Sequence, residues 1–295
     1  RDKLGKQYEP QFGGFSQAPK FHTPTKISKL LKHWSYQRKK GSSDKDGLEM
    51  VMNTLTQIAR GGIYDHLGGG FYRYSTDNKW TVPHFEKMLY DNGQLLSLYS
   101  SAIRFGPDQL FEDAITETIE WIVRDLRDPL GGFYSSVDAD SNEEEGGFYT
   151  WRREELKAAL NEDQYLLIET LYGMDKSPNF NNRWVLHRND SWRSVVSRLQ
   201  LEPETARDNL LESKGLLFNN RQQRTPPNRD QKILTAWNAV TIKGIIESAD
   251  ALGNKEDWIN LAIQATDFVH HHLWDGETLF ATWTDGQAKY HGYLD

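Results

Sequence analysis

Residues 81–92, Thr-Val-Pro-His-Phe-Glu-Lys-Met-Leu-Tyr-Asp-Asn, crowd an imidazole, two carboxyl groups, an ammonium and an amide into one short stretch. Read as the start of a helix, with Thr81 as its cap and Pro83 in the first turn, the stretch puts His84 and Glu86 at the positive helix end. That field favours carboxylate at Glu86 and neutral imidazole at His84, a form able to accept a proton. Lys87 and Asp91 follow one turn apart on the same side. Caps and loop staples would use the same residues, but the polar pair Asp91-Asn92 halfway along an otherwise apolar stripe favours a site. His84, Glu86 and Asp91 are the first catalytic candidates.

Three further segments supply partners. Residues 61–74, Gly-Gly-Ile-Tyr-Asp-His-Leu-Gly-Gly-Gly-Phe-Tyr-Arg-Tyr, set Tyr64, Asp65, His66 and Arg73 among glycines that let backbone approach a ligand. This is no phosphate loop, since the spacing and the strand-to-helix setting are missing; glycine economy in a tight connector is the plain alternative. Asp138 and Asp140 open a stretch that begins like a calcium loop. Glu143 then stands where the turn needs glycine and Tyr149 where the bidentate glutamate belongs. The run Glu143–Glu145 reads as solvated, while Asp138 and Asp140 remain within reach of the cavity expected at His84. In 230–238, Asp230 reads as a cap, and Trp237 beside Asn238 offers a flat apolar face next to an amide, a pairing suited to a ligand with C–H faces and hydroxyls. Trp80 is a second candidate wall.

Other chemistries lack their residues. With no cysteine there is no thiolate metal site, no dithiol and no cysteine nucleophile. His84-Phe-Glu86 has a zinc-deaminase spacing without its cysteine partners, His270, His271 and His272 point apart around a helix, and no Gly-x-Ser-x-Gly occurs. The sequence asks for no metal and no cofactor.

The elements that must position these groups are helices. Apolar periodicity predicts them over 25–37, 48–59, 83–104, 108–126, 154–171, 202–214, 232–252 and 255–272, with Gly61-Gly62 as a left-handed stop after the second. Between them the Gly-Gly-aromatic punctuation returns at 13–15, 61–64, 68–72, 131–134 and 146–149, a degenerate internal repeat. Stacked helical hairpins with their aromatic loops gathered at one end follow. The 232–252 segment carries two stripes, as an inner helix would, and 108–126 carries one, as an outer helix would.

Composition narrows the partners. The net charge of −7 is not collected into blocks, so nucleic acid is not expected, and no apolar run approaches the ~20 residues of a membrane span. The expected location is cytoplasmic. Of the 10 Trp, 13 Tyr and 13 Phe many stand in or beside the glycine-rich loops rather than in periodic apolar segments, which suits a small-molecule or oligosaccharide substrate.

The segments 13–21, 61–74, 83–92, 138–141 and 232–238, in this order and over nearly the whole chain, resemble the YyaL-type, spermatogenesis-associated protein 20 family. That resemblance implies an all-α (α/α)6 toroid of the six-hairpin glycosidase and sugar 2-epimerase type, which in the family follows a thioredoxin-like domain. Here that domain is missing, so no redox role carries over. About eight helices stand where a closed toroid needs twelve, and the ending Tyr293-Leu294-Asp295 resembles the start of a family Leu-Asp-Asp-Tyr-Ala segment. Residues 1–295 therefore read as the N-terminal portion of one toroid, an incomplete one.

Two functions follow as expectations: a carbohydrate-acting domain, glycosidase-like or epimerase-like, or a non-catalytic binding or scaffold module. The first expects His84, Asp91, Asp65 and Asp138 or Asp140 to line one cavity with Trp237 or Trp80 in its wall. A broken ring would also expose an apolar edge open to self-association, and would be catalytically silent if acid and base come from opposite sides.

Overall fold

Val51, Leu55 and Ile58 recur on one side of a helical segment, and all three are wholly buried in the computed structural model, which describes residues 1–292. Eleven α-helices run through the described residues: α1 (Asp2–Gly5), α2 (Pro24–Lys39), α3 (Lys45–Arg60), α4 (Leu89–Ala102), α5 (Gln109–Trp121), α6 (Arg153–Ala159), α7 (Glu162–Leu171), α8 (Trp192–Arg198), α9 (Pro203–Arg221), α10 (Thr235–Ala251) and α11 (Glu256–His272). Three hairpins, α2/α3, α4/α5 and α10/α11, form the framework. In it α4 packs against both α2 and α10, and α3 packs on α5. Stacked helical hairpins are what the sequence predicts, and these three are present among the described residues. No helix among the described residues is long and apolar enough to cross a membrane.

The tightest seam joins α4 to α10, and small residues make it. A Cβ on Gly93 would lie 2.7 Å from Thr241 Oγ1, and one on Gly244 would lie 2.4 Å from the Gly93 carbonyl. Farther along, Ser100 and Ser248 meet at 2.9 Å. The two helices therefore run the same way, since residue numbers climb together along the seam. Short antiparallel ladders stand within two residues of the first helix of each hairpin, at Lys20–Phe21, Lys87–Met88 and Ile233–Leu234.

Between the second and third hairpins the chain makes an excursion, 127–231, with its own core of Trp151, Leu156, Ile168, Leu171, Leu210 and Leu217. Its last helix, α9, docks on α5 through a bidentate Arg207–Asp113 pair at 2.8 and 2.6 Å and a Lys214–Glu117 bond. This docking carries Arg221 toward residues 65–68.

Several expectations are corrected. The helix expected from Pro83 starts at Leu89, so Thr81 caps nothing. The expected 154–171 helix is two helices, because Leu160 is extended and Asn161 with Gln164 forms a reciprocal cap that starts α7 afresh. The turn α8 was not anticipated, and α9 runs on to Arg221. Gly61 ends α3 in an extended conformation rather than a left-handed one. Of the two stripes expected on 232–252, Asn238, Thr241 and Ile245 of one are buried, whereas in the other Ile233 and Gly244 are buried but Trp237 and Val240 are half-exposed. The resemblance drawn at Tyr293, Leu294 and Asp295 lies outside the described residues.

Candidate active site

Asp77 decides the backbone path into the site. Its carboxylate accepts the backbone N–H groups of Lys79, Thr81 and Val82 at 2.6, 3.2 and 2.7 Å, which fixes the loop that leads into residue 83. The chain then pairs as strand, Tyr74 with His84 and Lys87 with Val137. Extended backbone sends alternate side chains to opposite faces. Phe85 and Lys87 therefore point inward and are buried, while His84 and Glu86 point outward and are half-exposed. Neither His84 nor Glu86 lies in the first turn of a helix, so no helix field acts on them as expected; Asp91 lies in the first turn of α4. Lys87 and Asp91 do not share a helix face.

The outward face gathers the larger share of the candidates. His84 Nδ1 bonds Glu145 Oε1 at 2.9 Å, its Nε2 lies 3.9 Å from Glu86 Oε2, and its ring stacks on Tyr74 at 5.0 Å. Arg73 donates to Glu86 at 3.2 Å. Asp91 is 7% exposed, and its Oδ2 has no hydrogen-bond partner among the described residues. Burial pushes its carboxyl up to about 7, against the pull of the Arg73 guanidinium and with a further push from Glu86. Beside it Tyr90 packs on Trp237 with ring centroids 4.8 Å apart. Asp140 pairs through its backbone with Glu145, which brings it to the same hairpin, while Asp138 is exposed and its backbone N–H donates to the Asn228 carbonyl. Chemically this face holds a carboxyl that is part-protonated at neutral pH, two carboxylates and an imidazole, the groups general acid–base chemistry uses.

The inward face is a buried ion cluster. Asp65 accepts from Lys87 Nζ at 2.8 Å, from Arg221 Nη1 at 2.8 Å, and from the backbone N–H groups of Leu67 and Gly68 at 3.2 and 3.0 Å. Burial alone would push the Asp65 carboxyl up; the charges of Arg221 and Lys87 overcome this and hold it well below the usual carboxylate range. Burial draws Lys87 down to about 8, against the pull of Asp65. Its ammonium also lies 4.9, 5.2 and 5.1 Å from the ring centroids of Tyr72, Trp121 and Tyr149.

The remaining candidates sit inside the fold. Tyr64 is buried and donates to Glu117 at 2.6 Å, and His66 is buried with Nε2 on the Gly61 carbonyl at 3.0 Å. Trp80 has no exposed surface and donates to the Phe12 carbonyl, so it walls no open cavity. Asn92 takes the Phe71 N–H at 2.7 Å and donates to the Phe71 carbonyl at 3.0 Å; Asn238 does the same to Phe133 at 2.8 and 2.9 Å. The expected single cavity is thus two sites: Asp65 belongs to the inward cluster, and His84, Glu86, Asp91, Arg73 and Trp237 to the outward one. Glu145 was passed over as part of a solvated acidic run, and Arg221 was not anticipated. Only the aromatic flank of Asp91 pointed to Tyr90.

No protein-family profile matches the chain. It is similar to spermatogenesis-associated protein 20 of Homo sapiens and of Mus musculus, 34% identical to each over 92% of its own length and 38% of theirs. An uncharacterized protein of Caenorhabditis elegans is 29% identical over 92% of this chain and 40% of its own length. The chain therefore spans well under half of these relatives. Among solved structures it is similar to a sugar epimerase from a ruminal bacterium, with a TM-score of 0.39 and 15% identity over 98% of this chain and 89% of that one. A Bacteroides thetaiotaomicron GH76 α-mannanase gives a TM-score of 0.39 and 13% identity over 99% and 72%.

Proposed function

We propose that this chain, similar over 92% of its length to part of spermatogenesis-associated protein 20, is a carbohydrate-acting domain whose acid–base centre is the outward cluster. One observation carries the reading: Asp91, almost buried, keeps an unpartnered carboxyl oxygen beside the Arg73–Glu86 pair and the Tyr90–Trp237 rings. In this role Asp91 is the general acid. Glu86, bonded by Arg73, and His84, oriented by Glu145, are the proton acceptors, and the Tyr90–Trp237 pair is the apolar surface for a sugar ring. Hydrolysis would use Asp91 to protonate the leaving oxygen opposite a carboxylate. Epimerisation would use His84 to remove a proton next to a carbonyl.

Binding is tested on this chain and turnover on the full-length protein. Incubation with glucose, mannose and oligosaccharides in D2O should give either new reducing ends or deuterium at the carbon beside the carbonyl, and Asp91→Asn should abolish either signal without unfolding the protein. A sugar that binds without turnover, and binds Asp91→Asn equally well, would instead favour a non-catalytic binding module. That alternative draws support from Asn92 and Asn238, whose amides are spent on backbone.

A further inference from the structure

A cavity of about 500 Å3 opens beyond Lys87 and Tyr149, and none of His84, Glu86 or Asp91 lines it. Its volume suits a small molecule. Its walls carry Lys87, Arg124, Arg221 and Arg229 against only Asp65 and Asp125, an excess of two positive charges. One unmatched charge belongs to the buried cluster, because the single carboxylate of Asp65 serves both Lys87 and Arg221. The other is at the rim: Arg124 closes on Asp125 through bonds of 3.1 and 2.7 Å, while Arg229 donates to the Asp125 backbone carbonyl. Unmatched charge in a buried place is costly, so it invites a counter-ion.

A second observation concerns Arg221 itself. It is 2% exposed, yet its Nε–H has no hydrogen-bond partner among the described residues. Phe148 and Tyr149 lie 5.1 and 5.4 Å from the guanidinium carbon. A planar donor fork stacked on aromatic rings, with a donor to spare, is how arginine receives carboxylate and phosphate groups.

We propose that this cavity is an oxyanion site for a small polyhydroxylated ligand carrying a phosphate monoester or a carboxylate. The charged group sits between Arg221 and Arg229, and the amides of Asn228 and Gln231 in the same wall meet its hydroxyls.

Titration calorimetry at low salt with inorganic phosphate, glucose 6-phosphate, glucuronate and glucose tests this. The anionic probes should bind, glucose should not, and the ratio of glucose 6-phosphate to glucuronate affinity tells which anion the site is built for. Raising salt should weaken binding. Arg229→Gln, at an exposed position, should weaken it about tenfold or more, and Arg221→Gln should abolish it. If Arg221→Gln fails to fold, Arg229→Gln decides. Asp91→Asn should bind as the parent does, which separates this site from the acid–base cluster. Glucose binding as well as its phosphate, no binding of any anion, unchanged affinity in Arg229→Gln, or lost affinity in Asp91→Asn would each overturn the proposal.

Discussion

Asp65 and Asp91 are exposed to almost the same small extent, 5% and 7%, and they have gone opposite ways. Asp65 is held far below the ordinary carboxylate range, and Asp91 is raised to about 7. Desolvation pushes both upward, so burial does not separate them. Counter-charge does: Asp65 touches two cations and two backbone N–H groups, whereas Asp91 feels Arg73 as a cation already paired to Glu86 and leaves one oxygen unbonded. A buried acid whose valences are all filled behaves as a structural joint. One left short of partners keeps a proton it can give away.

The largest test of this contrast removes the charge from the satisfied acid. Asp65→Asn leaves Lys87 and Arg221 facing each other inside the fold, and an uncompensated buried charge costs about 3–5 kcal/mol. Urea unfolding at pH 7 should show a loss of that size. The carboxyl pKa of Asp65 is depressed in the folded protein, so its stabilising effect is present above the unfolded value and lost as pH falls toward the folded one. The gap between parent and variant should therefore narrow in acid. A variant as stable as the parent at pH 7 would mean that the cluster is not a joint.

The opposite substitution should stabilise. Between about pH 4, where an unfolded aspartate ionises, and pH 7, folded Asp91 keeps a proton that the unfolded chain has released. Stability therefore falls as pH rises through that window and levels off above it. Asp91→Asn removes the titration, so the variant should match the parent near pH 4 and exceed it by about 1–3 kcal/mol at pH 8. Parallel stability curves across this window would show that Asp91 is an ordinary carboxylate.

Much of this contrast was readable in the chain, and the unreadable part has physical causes. Asp91 stood out as a polar residue in an apolar stripe, and Arg73, His84, Glu86 and Trp237 were named with it. Asn92 was noticed for the same reason, and Asn238 for its place beside Trp237, but both do another job. Each is the fourth residue of its helix, and each clamps both backbone groups of the phenylalanine in a Gly-Gly-Phe-Tyr or Gly-Gly-Gly-Phe-Tyr loop. Two of the five loops of the repeat seen in the sequence, 68–72 and 131–134, are thus what these clamps hold. Hidden were the helix start, because residues 83–88 are spent on strand pairing with Tyr74, Ser75, Ser136 and Val137 before the helix begins at Leu89, and Arg221, which reaches Asp65 from 156 residues away. Short-range patterns report alternation and capping; they carry nothing about which distant cation arrives to fill a carboxylate.

The smallest effect probes the one cation that Asp91 feels. Arg73 lowers the Asp91 carboxyl and at the same time neutralises Glu86, whose own charge raises it. Arg73→Gln changes both contributions in one direction: the attraction that favours ionised Asp91 disappears, and the repulsion from Glu86 is no longer offset. Asp91 should therefore move upward, by roughly half a unit to one unit given the partly exposed position of the pair, which is about 1 kcal/mol or less in stability at pH 8. The carboxyl carbon resonance of Asp91, followed by NMR against pH, reads this directly and is blind to small losses of packing elsewhere. A downward shift, or none, would mean that Arg73 does not govern Asp91, and the unbonded carboxyl would then owe its proton to burial alone.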